Sequence, residues 1–209
     1  MNKIVKKNDY FLKNMIQCYR VFFMEEVKLK NEIDKKNKII SDLKLEIELL
    51  KNENERLKKE AYLDNLTNLN NRRILENVSD FDSIIMGDID YFKNINDSYG
   101  HLKGDEVLIA ISQILNEYVR ETDIVCRWGG EEFVILLKNC SDEEAYNKAL
   151  LLKEKISELK RIFGFEITMS FGVSNFLFEK PMKDAIKEAD KALYKSKKNG
   201  RNKVTMYGE

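Results

Sequence analysis

The chain reads Arg127-Trp128-Gly129-Gly130-Glu131-Glu132-Phe133 between two β-prone apolar runs, residues 124–128 and 133–137. A Gly-Gly pair between such runs predicts a β-hairpin, because its tight turn needs positive φ at both central positions. The two carboxylates at the turn are oxygen ligands of the kind that divalent cations prefer, and the glycines let another molecule approach the backbone. Taken alone, the motif fits a polar turn better than a metal site, so the remaining sequence has to decide.

The overall composition narrows the class of protein. Basic and acidic residues both number 36 in the 209-residue chain, so its net charge gives no reason to expect binding to DNA, RNA or an anionic membrane. No apolar run is long enough for a transmembrane segment, and no signal peptide is recognisable. Cys18, Cys126 and Cys140 are widely spaced, without a metal-ligand pattern, and indicate reduced thiols. We expect a cytoplasmic protein; the alternative is a peripheral amphipathic anchor within residues 10–27.

Residues 28–61 repeat apolar side chains with heptad spacing. The a positions hold Ile33, Ile40, Ile47, Asn54 and Ala61; the d positions hold Leu29, Leu43, Leu50 and Leu57; and Glu46 and Glu53 at g face Lys51 and Lys58 at e. β-branched a residues with leucine at d favour parallel two-stranded coils, in which a buried asparagine at a fixes the register. We therefore predict a parallel homodimeric coiled coil. The alternative is a single solvated helix, since Lys36 is a poor d residue and Leu45 and Leu49 fall outside the seam.

The segments on either side of the coil have different patterns. Residues 1–27 form a predicted helical segment of unknown role, rich in aromatic residues, which could begin the coil, dock on a partner or fold back as a cap. From residue 62, short β-prone runs alternate with amphipathic helices. Besides the hairpin, strands are predicted at 83–88, 165–174 and 202–207, and helices at 105–120, 141–160 and 183–198. This order predicts an α+β domain over 62–209, with helices covering a sheet that contains an antiparallel hairpin.

An acidic pair, Asp88 and Asp90, lies at the end of the strand predicted at 83–88. A carboxylate at a strand end leaves the sheet and faces a cleft. Asp88, Glu131 and Glu132 could bind Mg²⁺ if that strand and the hairpin are neighbours, whereas Asp90 could share this role or cap a turn. Mg²⁺ normally takes one or two carboxylates, leaves its other positions to water or phosphate oxygens, and lowers the pKa of an attacking hydroxyl.

Four segments resemble motifs of the GGDEF family of diguanylate cyclases. They are DNLTNLNNRR at 64–73, DIDYFKNINDSYGHLKGD at 88–105, RWGGEEF at 127–133 and ADKALYKSKKNGRN at 189–202. They follow the family's order, and the similarity covers about residues 61–207. The resemblance implies a ferredoxin-like or cyclase-like central sheet flanked by helices. It also implies an enzyme that joins two GTP molecules into cyclic di-GMP with release of two pyrophosphates, across a homodimer that the coil would supply.

The resemblance also assigns residues to the active site. Two Mg²⁺ ions, which Mn²⁺ could replace, would be held by Asp88, Glu131, the backbone carbonyl of Ile89 and Glu132. Guanine would be bound by Asn96 and Asp105, and the triphosphate by Lys93, Lys197, Arg201 and backbone amides near Phe92. Glu131 would be the base for the ribose 3′-hydroxyl, with Asp88 and Lys93 as the other catalytic groups. The residue types suit these roles, since a carboxylate can accept hydrogen bonds from N1–H and the exocyclic amine of guanine.

Arg120 and Asp123 precede the hairpin at the offset of the family's inhibitory site, where Arg and Asp bind the cyclic di-GMP product. The resemblance therefore implies product inhibition. The chain departs from the family at Asn68, where glycine is common, and at Trp128, where tyrosine is usual; Glu131 in place of aspartate is a common active variant. None of these departures removes a residue assigned to metal, guanine or phosphate.

Three alternative functions compete with the cyclase. The first is a catalytically inactive effector that binds cyclic di-GMP through Arg120 and Asp123, which the intact catalytic set disfavours. The second is a different nucleotidyl cyclase or polymerase-like enzyme, which the guanine pair Asn96 and Asp105 disfavours. The third is a structural coiled-coil protein with a globular cap. The sequence does not indicate which signal would activate a cyclase.

Overall fold

A computed structural model describes the backbone of residues 2–175 and 181–208, and the side chains of residues 15–175 and 181–208. The chain divides into two compact units, Met1–Leu57 and Lys58–Glu209. Helix α1 spans Asn2–Tyr62, so the long N-terminal helix predicted from the sequence is confirmed. Among the described residues, no helix combines the length and the apolar character needed to cross a membrane.

The heptad seam of α1 is open to solvent within a single chain. The apolar side chains at its a and d positions are between 48% and 62% exposed from Leu29 to Leu57. A stripe of isoleucine and leucine on one helix face gains stability by packing against a partner. The parallel dimer stays a prediction. Of the N-terminal aromatic residues, the side chains of Tyr10 and Phe11 lie outside the described part of the chain.

The second unit is built on a six-stranded mixed sheet. Its strands are β1 (Asn70–Asn71), β2 (Ser83–Ile89), β3 (Ile124–Gly129), β4 (Glu132–Leu137), β5 (Met169–Asn175) and β6 (Val204–Met206), in the spatial order β1-β3-β4-β2-β5-β6. The helices are α2 (Phe92–Tyr99), α3 (His101–Glu117), α4 (Asp142–Ser157), α5 (Lys160–Phe163) and α6 (Met182–Lys198). The four central strands pair antiparallel, and both edge strands pair parallel. The β-α-β-β-α-β order from β2 to β5 is ferredoxin-like, which confirms the predicted α+β fold.

Strand β2 lies in the middle of the sheet, and all seven of its residues are buried. Its side chains alternate between the two faces, as the two-residue period of a strand requires. Ile85 and Ile89 pack in the core beneath α3 and α4, whereas Ile84 and Met86 pack on the other face, beneath α6. Helices therefore cover both faces of β2, and its acidic residue Asp88 lies where this double-sided core ends.

Several predicted boundaries were wrong. The helix predicted at 105–120 begins earlier, at His101, and residues 92–99 form the separate helix α2, which was not predicted. The helix predicted at 141–160 is α4, which ends at Ser157 and is followed by the short α5. Ser141 instead caps α4, because its hydroxyl accepts a hydrogen bond from the Glu144 amide while the Glu144 carboxylate accepts one from the Ser141 amide.

Two predicted strands begin later than expected. The strand predicted from residue 165 begins at Met169, and the one predicted from residue 202 begins at Val204. Asn202 has a φ of 47°, a left-handed conformation that no strand residue adopts. Residues 200–202 thus form a loop before the last strand, and this loop lies beside the candidate site.

Candidate active site

Asp88 occupies the next-to-last position of β2, at the centre of the site. It stands in register with Glu132 on β4 and Ser170 on β5. Its side chain is 9% exposed, and its Oδ2 lies 2.8 Å from Nζ of Lys197. Burial raises the pKa of the Asp88 carboxyl, and the hydrogen bond and charge of Lys197 offset this rise only in part. A buried carboxylate in direct contact with one ammonium group is thus fixed at the edge of the sheet.

The hairpin turn brings two further carboxylates to Asp88. β3 ends at Gly129 and β4 begins at Glu132, and the backbone N–H of Ile89 donates to the carbonyl of Glu131 at 3.3 Å. Burial and then the charge of Asp88 raise the pKa of both Glu131 and Glu132, while Lys197 opposes the rise. The strand and the hairpin are therefore neighbours, and their three carboxylates destabilise one another's charge.

The donor set at this edge consists of oxygen atoms, which suits a hard cation such as Mg²⁺. Among the side chains of residues 15–175 and 181–208, no three acidic, histidine or cysteine groups enclose a metal position. Mg²⁺ is commonly bound by one or two carboxylates together with substrate phosphates and water. The residues present fit an ion that shares its coordination with a phosphate ligand, and they do not build an all-protein cage.

Helix α6 positions Lys197 by lying very close to β5. A Cβ atom on Gly172 of β5 would come within 2.1 Å of the Ala189 carbonyl and 2.2 Å of the Leu193 amide. Only glycine permits this approach. One residue before Lys197, the hydroxyl of Ser196 donates to the carbonyl oxygen of Phe171 at 2.7 Å. The end of α6 is therefore fixed to the strand that runs beside β2.

Asp90 is a scaffold residue rather than a free carboxylate. It is 5% exposed and accepts hydrogen bonds from the Thr168 hydroxyl (2.8 Å), the Ser170 hydroxyl (2.7 Å) and the Asn202 amide (2.9 Å). Of the two roles open to it in the sequence, the structure favours fixing a loop over binding a metal. The Asn202 bond helps to hold a left-handed backbone conformation, which asparagine tolerates better than most residues other than glycine.

Arg201 belongs to the same loop and projects toward the N-terminus of α2. Its Nη1 donates to the Tyr91 hydroxyl at 3.2 Å, and its guanidinium carbon lies 4.4 Å from the Tyr91 ring centroid. Phe92 is buried at the first position of α2, whereas Lys93 is exposed. Arg201, from the loop before β6, and Phe92 and Lys93, from the start of α2, therefore lie around Tyr91. The exposed Lys93 side chain can reach a ligand there.

The proposed guanine residues lie where α2 meets α3. A Cβ atom on Gly104 would come within 1.9 Å of Oδ1 of Asn96, so the Asn96 amide rests directly against the α3 backbone. Asp105 is the next residue of α3, and both side chains are half-buried. The structure thus places Asn96 against the residue that precedes Asp105, although the turn at Gly100 separates the two in sequence.

Arg127 has a structural role that the sequence reasoning missed. Its Nε and Nη2 donate to the carbonyl oxygen of Gly130 at 2.9 and 2.7 Å, and its Nη1 lies 3.0 Å from Oδ1 of Asp64. Asp64 also accepts hydrogen bonds from the amide and hydroxyl of Thr67. Burial favours a raised pKa for Asp64, but the bonds from Thr67 and Arg127 outweigh it and lower the pKa. The Asp-x-x-Thr spacing of residues 64–67 is typical of a turn closed by an aspartate side chain, and it was the feature of the sequence that pointed to a structural role for Asp64.

A cavity of about 300 Å³ lies at the other end of β4, and both residues of the predicted inhibitory site line it. It is lined by Arg120, Asp123, Leu137, Lys138, Cys140, Glu144, Asn147, Lys148 and Leu151. The Asp123 carboxylate accepts hydrogen bonds from the backbone amides of Arg120 (2.9 Å) and Lys138 (3.1 Å). Asp123 therefore shapes the loop, while the Arg120 side chain faces the cavity as a cation.

Comparison with known proteins agrees with this geometry. The family model described as "Diguanylate cyclase, GGDEF domain" matches residues 61–203. Diguanylate cyclase A of Treponema denticola is 43% identical over 128 residues, which cover 59% of this chain. The chain spans only 34% of the length of that relative.

Two solved structures extend the comparison to three dimensions. The coiled coil and GGDEF domain of DgcB from Caulobacter crescentus, in complex with c-di-GMP, matches with a TM-score of 0.73 and 26% identity over 81% of this chain and 98% of its own. The active GGEEF domain of a diguanylate cyclase from Vibrio cholerae matches with a TM-score of 0.60 and 33% identity over 66% of this chain and 97% of its own. Fold, site geometry and family model agree, and the chain belongs to the GGDEF domain family of diguanylate cyclases.

Proposed function

We propose that this chain condenses two GTP molecules into cyclic di-GMP and two pyrophosphates across a homodimer. In each half-reaction the 3′-oxygen of one GTP forms a bond to the α-phosphorus of the other, and the bond from that phosphorus to the pyrophosphate oxygen breaks. The proton of the 3′-hydroxyl passes to Glu131. The observation that carries this proposal is the meeting of Asp88, Glu131, Glu132 and Lys197 at one sheet edge, in a chain of this family.

Two Mg²⁺ ions, or Mn²⁺ in their place, would be held by Asp88, Glu131, Glu132 and the carbonyl oxygen of Ile89. When bound, they supply positive charge to the transferring phosphoryl group and lower the pKa of the attacking hydroxyl. The raised pKa of Glu131 suits a proton acceptor, because a base is most effective when its pKa approaches the working pH. The active GGEEF domain from Vibrio cholerae supports glutamate at this position.

Substrate binding is assigned to the two helices and the loop around the carboxylates. Guanine contacts Asn96 and Asp105, whose amide and carboxylate match its donors and acceptor. Lys93, Lys197 and Arg201, with backbone amides near Phe92, bind the triphosphate through charge-assisted hydrogen bonds. Catalysis then consists of positioning and electrostatic stabilisation, as in other phosphoryl transfers.

Each domain holds one GTP, so two domains must face each other. The coil of residues 28–61 supplies the second domain at high effective concentration, which is the advantage of linking two half-sites. Two observations support this role: the exposed heptad seam, and the coiled coil that accompanies the GGDEF domain in DgcB.

Product inhibition is assigned to the cavity of Arg120 and Asp123. Cyclic di-GMP carries two phosphates and two guanines, and a guanidinium binds either kind of group. The cavity adds Lys138 and Lys148 as further cations near Arg120. The c-di-GMP bound to the related DgcB supports the same ligand for this chain.

The test is incubation with GTP and Mg²⁺, followed by chromatographic analysis of the products for the wild type, Asp88→Asn and Glu131→Gln. We expect cyclic di-GMP and two equivalents of pyrophosphate from the wild type and a loss of at least about 100-fold in each variant. Glu117→Gln removes a surface carboxylate at the end of α3 and should retain full activity. A wild type that binds cyclic di-GMP without producing it would identify the effector instead.

A further inference from the structure

The ion pair between Lys197 and Asp88 places a cation where the proposed function needs metal coordination. Nζ of Lys197 lies 2.8 Å from Oδ2 of Asp88, a carboxylate that is almost completely buried. Its charge also favours the ionised forms of Glu131 and Glu132. Lys197 is therefore the shared counter-ion of all three carboxylates.

An ammonium and a divalent ion compete for this position. Mg²⁺ binds carboxylate oxygens at about 2.0–2.1 Å. An ammonium on the same carboxylate would then lie about 4–6 Å from the metal, where two positive charges repel each other in a partly buried site. The ion pair with Lys197 and a metal bound to Asp88 therefore weaken each other, because the two cations share one carboxylate.

Lys197 is able to change its partner. Its side chain is 30% exposed and occupies the last turn of α6, so its flexible stem can swing without moving the helix. In the proposed function, the triphosphate of GTP would offer it phosphate oxygens as the alternative partner. Neighbouring cations have other contacts: Nζ of Lys198 lies 4.7 Å from the Tyr194 ring centroid, and the Arg201 guanidinium stacks on Tyr91.

We propose that Lys197 is an internal counter-ion that competes with the metal for Asp88 and moves to the triphosphate when the nucleotide binds, so that metal and nucleotide bind cooperatively. This inference rests on the proposed function for the identity of the site. Cooperativity of this kind is reciprocal: the nucleotide raises metal affinity by the same factor by which the metal raises nucleotide affinity. It disfavours metal binding without substrate and couples the carboxylates to the arrival of GTP.

The test measures Mn²⁺ binding to the full chain by the loss of its free electron paramagnetic resonance signal, in the absence of nucleotide. Removal of the competing ammonium in Lys197→Met should tighten Mn²⁺ binding by about 5–50-fold relative to the wild type. Lys198→Met removes one charge from the same helix turn without touching Asp88, and its Mn²⁺ affinity should stay within about twofold. Asp88→Asn should weaken binding in both the wild-type and Lys197→Met backgrounds.

A second measurement follows 3′-deoxy-GTP, which cannot be cyclised because it lacks the attacking hydroxyl. The ratio of its dissociation constants without and with saturating Mn²⁺ should be several-fold larger for the wild type than for Lys197→Met. Thermal unfolding of each variant reports whether it is folded. If Lys197→Met does not fold, Lys197→Gln replaces it in both measurements.

The outcomes separate this inference from the proposed function. Equal Mn²⁺ affinity in wild type and Lys197→Met, with weaker binding in Asp88→Asn, overturns the competition and leaves the metal site intact. An affinity that does not change in Asp88→Asn overturns the metal site itself, and the competition with it. Tighter Mn²⁺ binding by Lys197→Met, together with reduced coupling between Mn²⁺ and nucleotide, supports both the metal site and the competition.

Discussion

Arg127 donates two hydrogen bonds to a single acceptor, the carbonyl oxygen of Gly130, through Nε at 2.9 Å and Nη2 at 2.7 Å. The peptide that carries this oxygen is the one that leads into Glu131. Asp64 orients the guanidinium from the other side. The orientation of the hairpin turn is therefore fixed by Arg127 of β3, which Asp64 supports from outside the hairpin.

Arg127→Lys keeps the charge but loses the fork of donors, so we expect a looser turn. Misplacement of a catalytic group by about 1 Å can reduce turnover by about 100-fold. We predict a loss of about 10–100-fold in kcat with a smaller change in the KM for GTP. Steady-state kinetics measure this split, and Arg161→Lys, on the exposed helix α5, is the control. Full turnover in Arg127→Lys would show that the turn holds itself.

Asn68 adopts a φ of 57° in the turn where the family commonly has glycine, and its amide donates to the Asp64 carbonyl at 2.9 Å. Alanine in this left-handed conformation costs about 1–2 kcal/mol, whereas glycine and asparagine tolerate it. We predict that Asn68→Ala lowers the free energy of unfolding by about 1 kcal/mol and that Asn68→Gly changes it by less than about 0.5 kcal/mol. Urea denaturation measures both.

Asn147→Ala provides a control for the loss of an asparagine side chain. It lies on the exposed side of α4, where alanine fits the helix, and it should not be destabilising. Equal losses in Asn68→Ala and Asn68→Gly would attribute the effect to the side chain and reject the backbone explanation.

The three cysteines should react with an alkylating reagent in a fixed order. Cys18 is exposed; burial raises the pKa of the Cys126 thiol to about 12; and burial, followed by the charges of Glu144 and Asp123, raises the pKa of Cys140. Because the thiolate is the reactive form, we predict that at pH 8 Cys18 is modified first, Cys140 slowly and Cys126 only after unfolding. Mass spectrometry of peptides from the native protein measures each rate.

Cys140 also reports on the proposed inhibitory site, because it lines the cavity of Arg120. Cyclic di-GMP should slow alkylation of Cys140 several-fold and leave Cys18 unaffected, and this protection should disappear in Arg120→Ala. The same variant should relieve inhibition by added product. Protection that persists in Arg120→Ala would place the ligand elsewhere.

The raised pKa values of Asp88, Glu131 and Glu132 predict a dependence of stability on pH. A proton held more tightly in the folded state stabilises the fold at low pH. This contribution is fully present below the ordinary carboxyl pKa of about 4 and is lost as the pH rises through the higher folded-state values. In protein without divalent ions, the melting temperature should therefore contain a component that falls across this window.

Glu132→Gln removes one of the repelling charges. After allowance for solvent screening of this partly exposed group, we predict a melting temperature about 2 °C above that of the wild type at pH 7 and a smaller gain at pH 4. Scanning calorimetry with a chelator measures the difference, with Glu117→Gln as the control. A gain that is the same at both pH values would argue against a charge effect.

The coil offers a matched pair of positions for testing the dimer. Leu43 occupies a d position and is 50% exposed in the single chain, whereas Leu45 lies outside the seam and is 60% exposed. Leu43→Asp should dissociate the dimer and lower the activity per chain by at least about tenfold, since tethering supplies the second half-site. Leu45→Asp should do neither. Analytical ultracentrifugation across a range of concentrations decides, and a wild type that stays monomeric contradicts the predicted coil.

Local patterns predicted much of this fold. The hairpin, the central strand and the C-terminal helix were recognised because each is indicated by residues close together in sequence, namely the spacing of apolar residues and the residues of the turn. Helix α2 was missed because it has no side-chain cap: Tyr91 precedes it in a left-handed conformation. This eight-residue helix is held by the burial of Phe92 and Ile95, which depends on tertiary packing.

The candidate site was predictable only in part. Asp88, Glu131 and Glu132 were identified as carboxylates that would meet if β2 and β4 were neighbours, but strand order depends on contacts between distant segments. The ion pair of Lys197 with Asp88 required the packing of α6 on β5, which no local pattern contains. The resemblance to the family identified Lys197 as a candidate site residue, and the structure showed that its partner is Asp88.

The close contact between α6 and β5 at Gly172 determines the tilt of α6 and, with it, the position of Lys197. Ala189, Leu193 and Lys197 are spaced four residues apart, so they lie along one face of α6, about 12 Å from first to last. The helix touches the strand at the first two positions and carries its ammonium at the third. A single added carbon atom at Gly172 would tilt the helix and displace the ammonium of Lys197 in its last turn. The position of the Lys197 ammonium is thus set by a glycine of the neighbouring strand, which acts through the side chain it lacks.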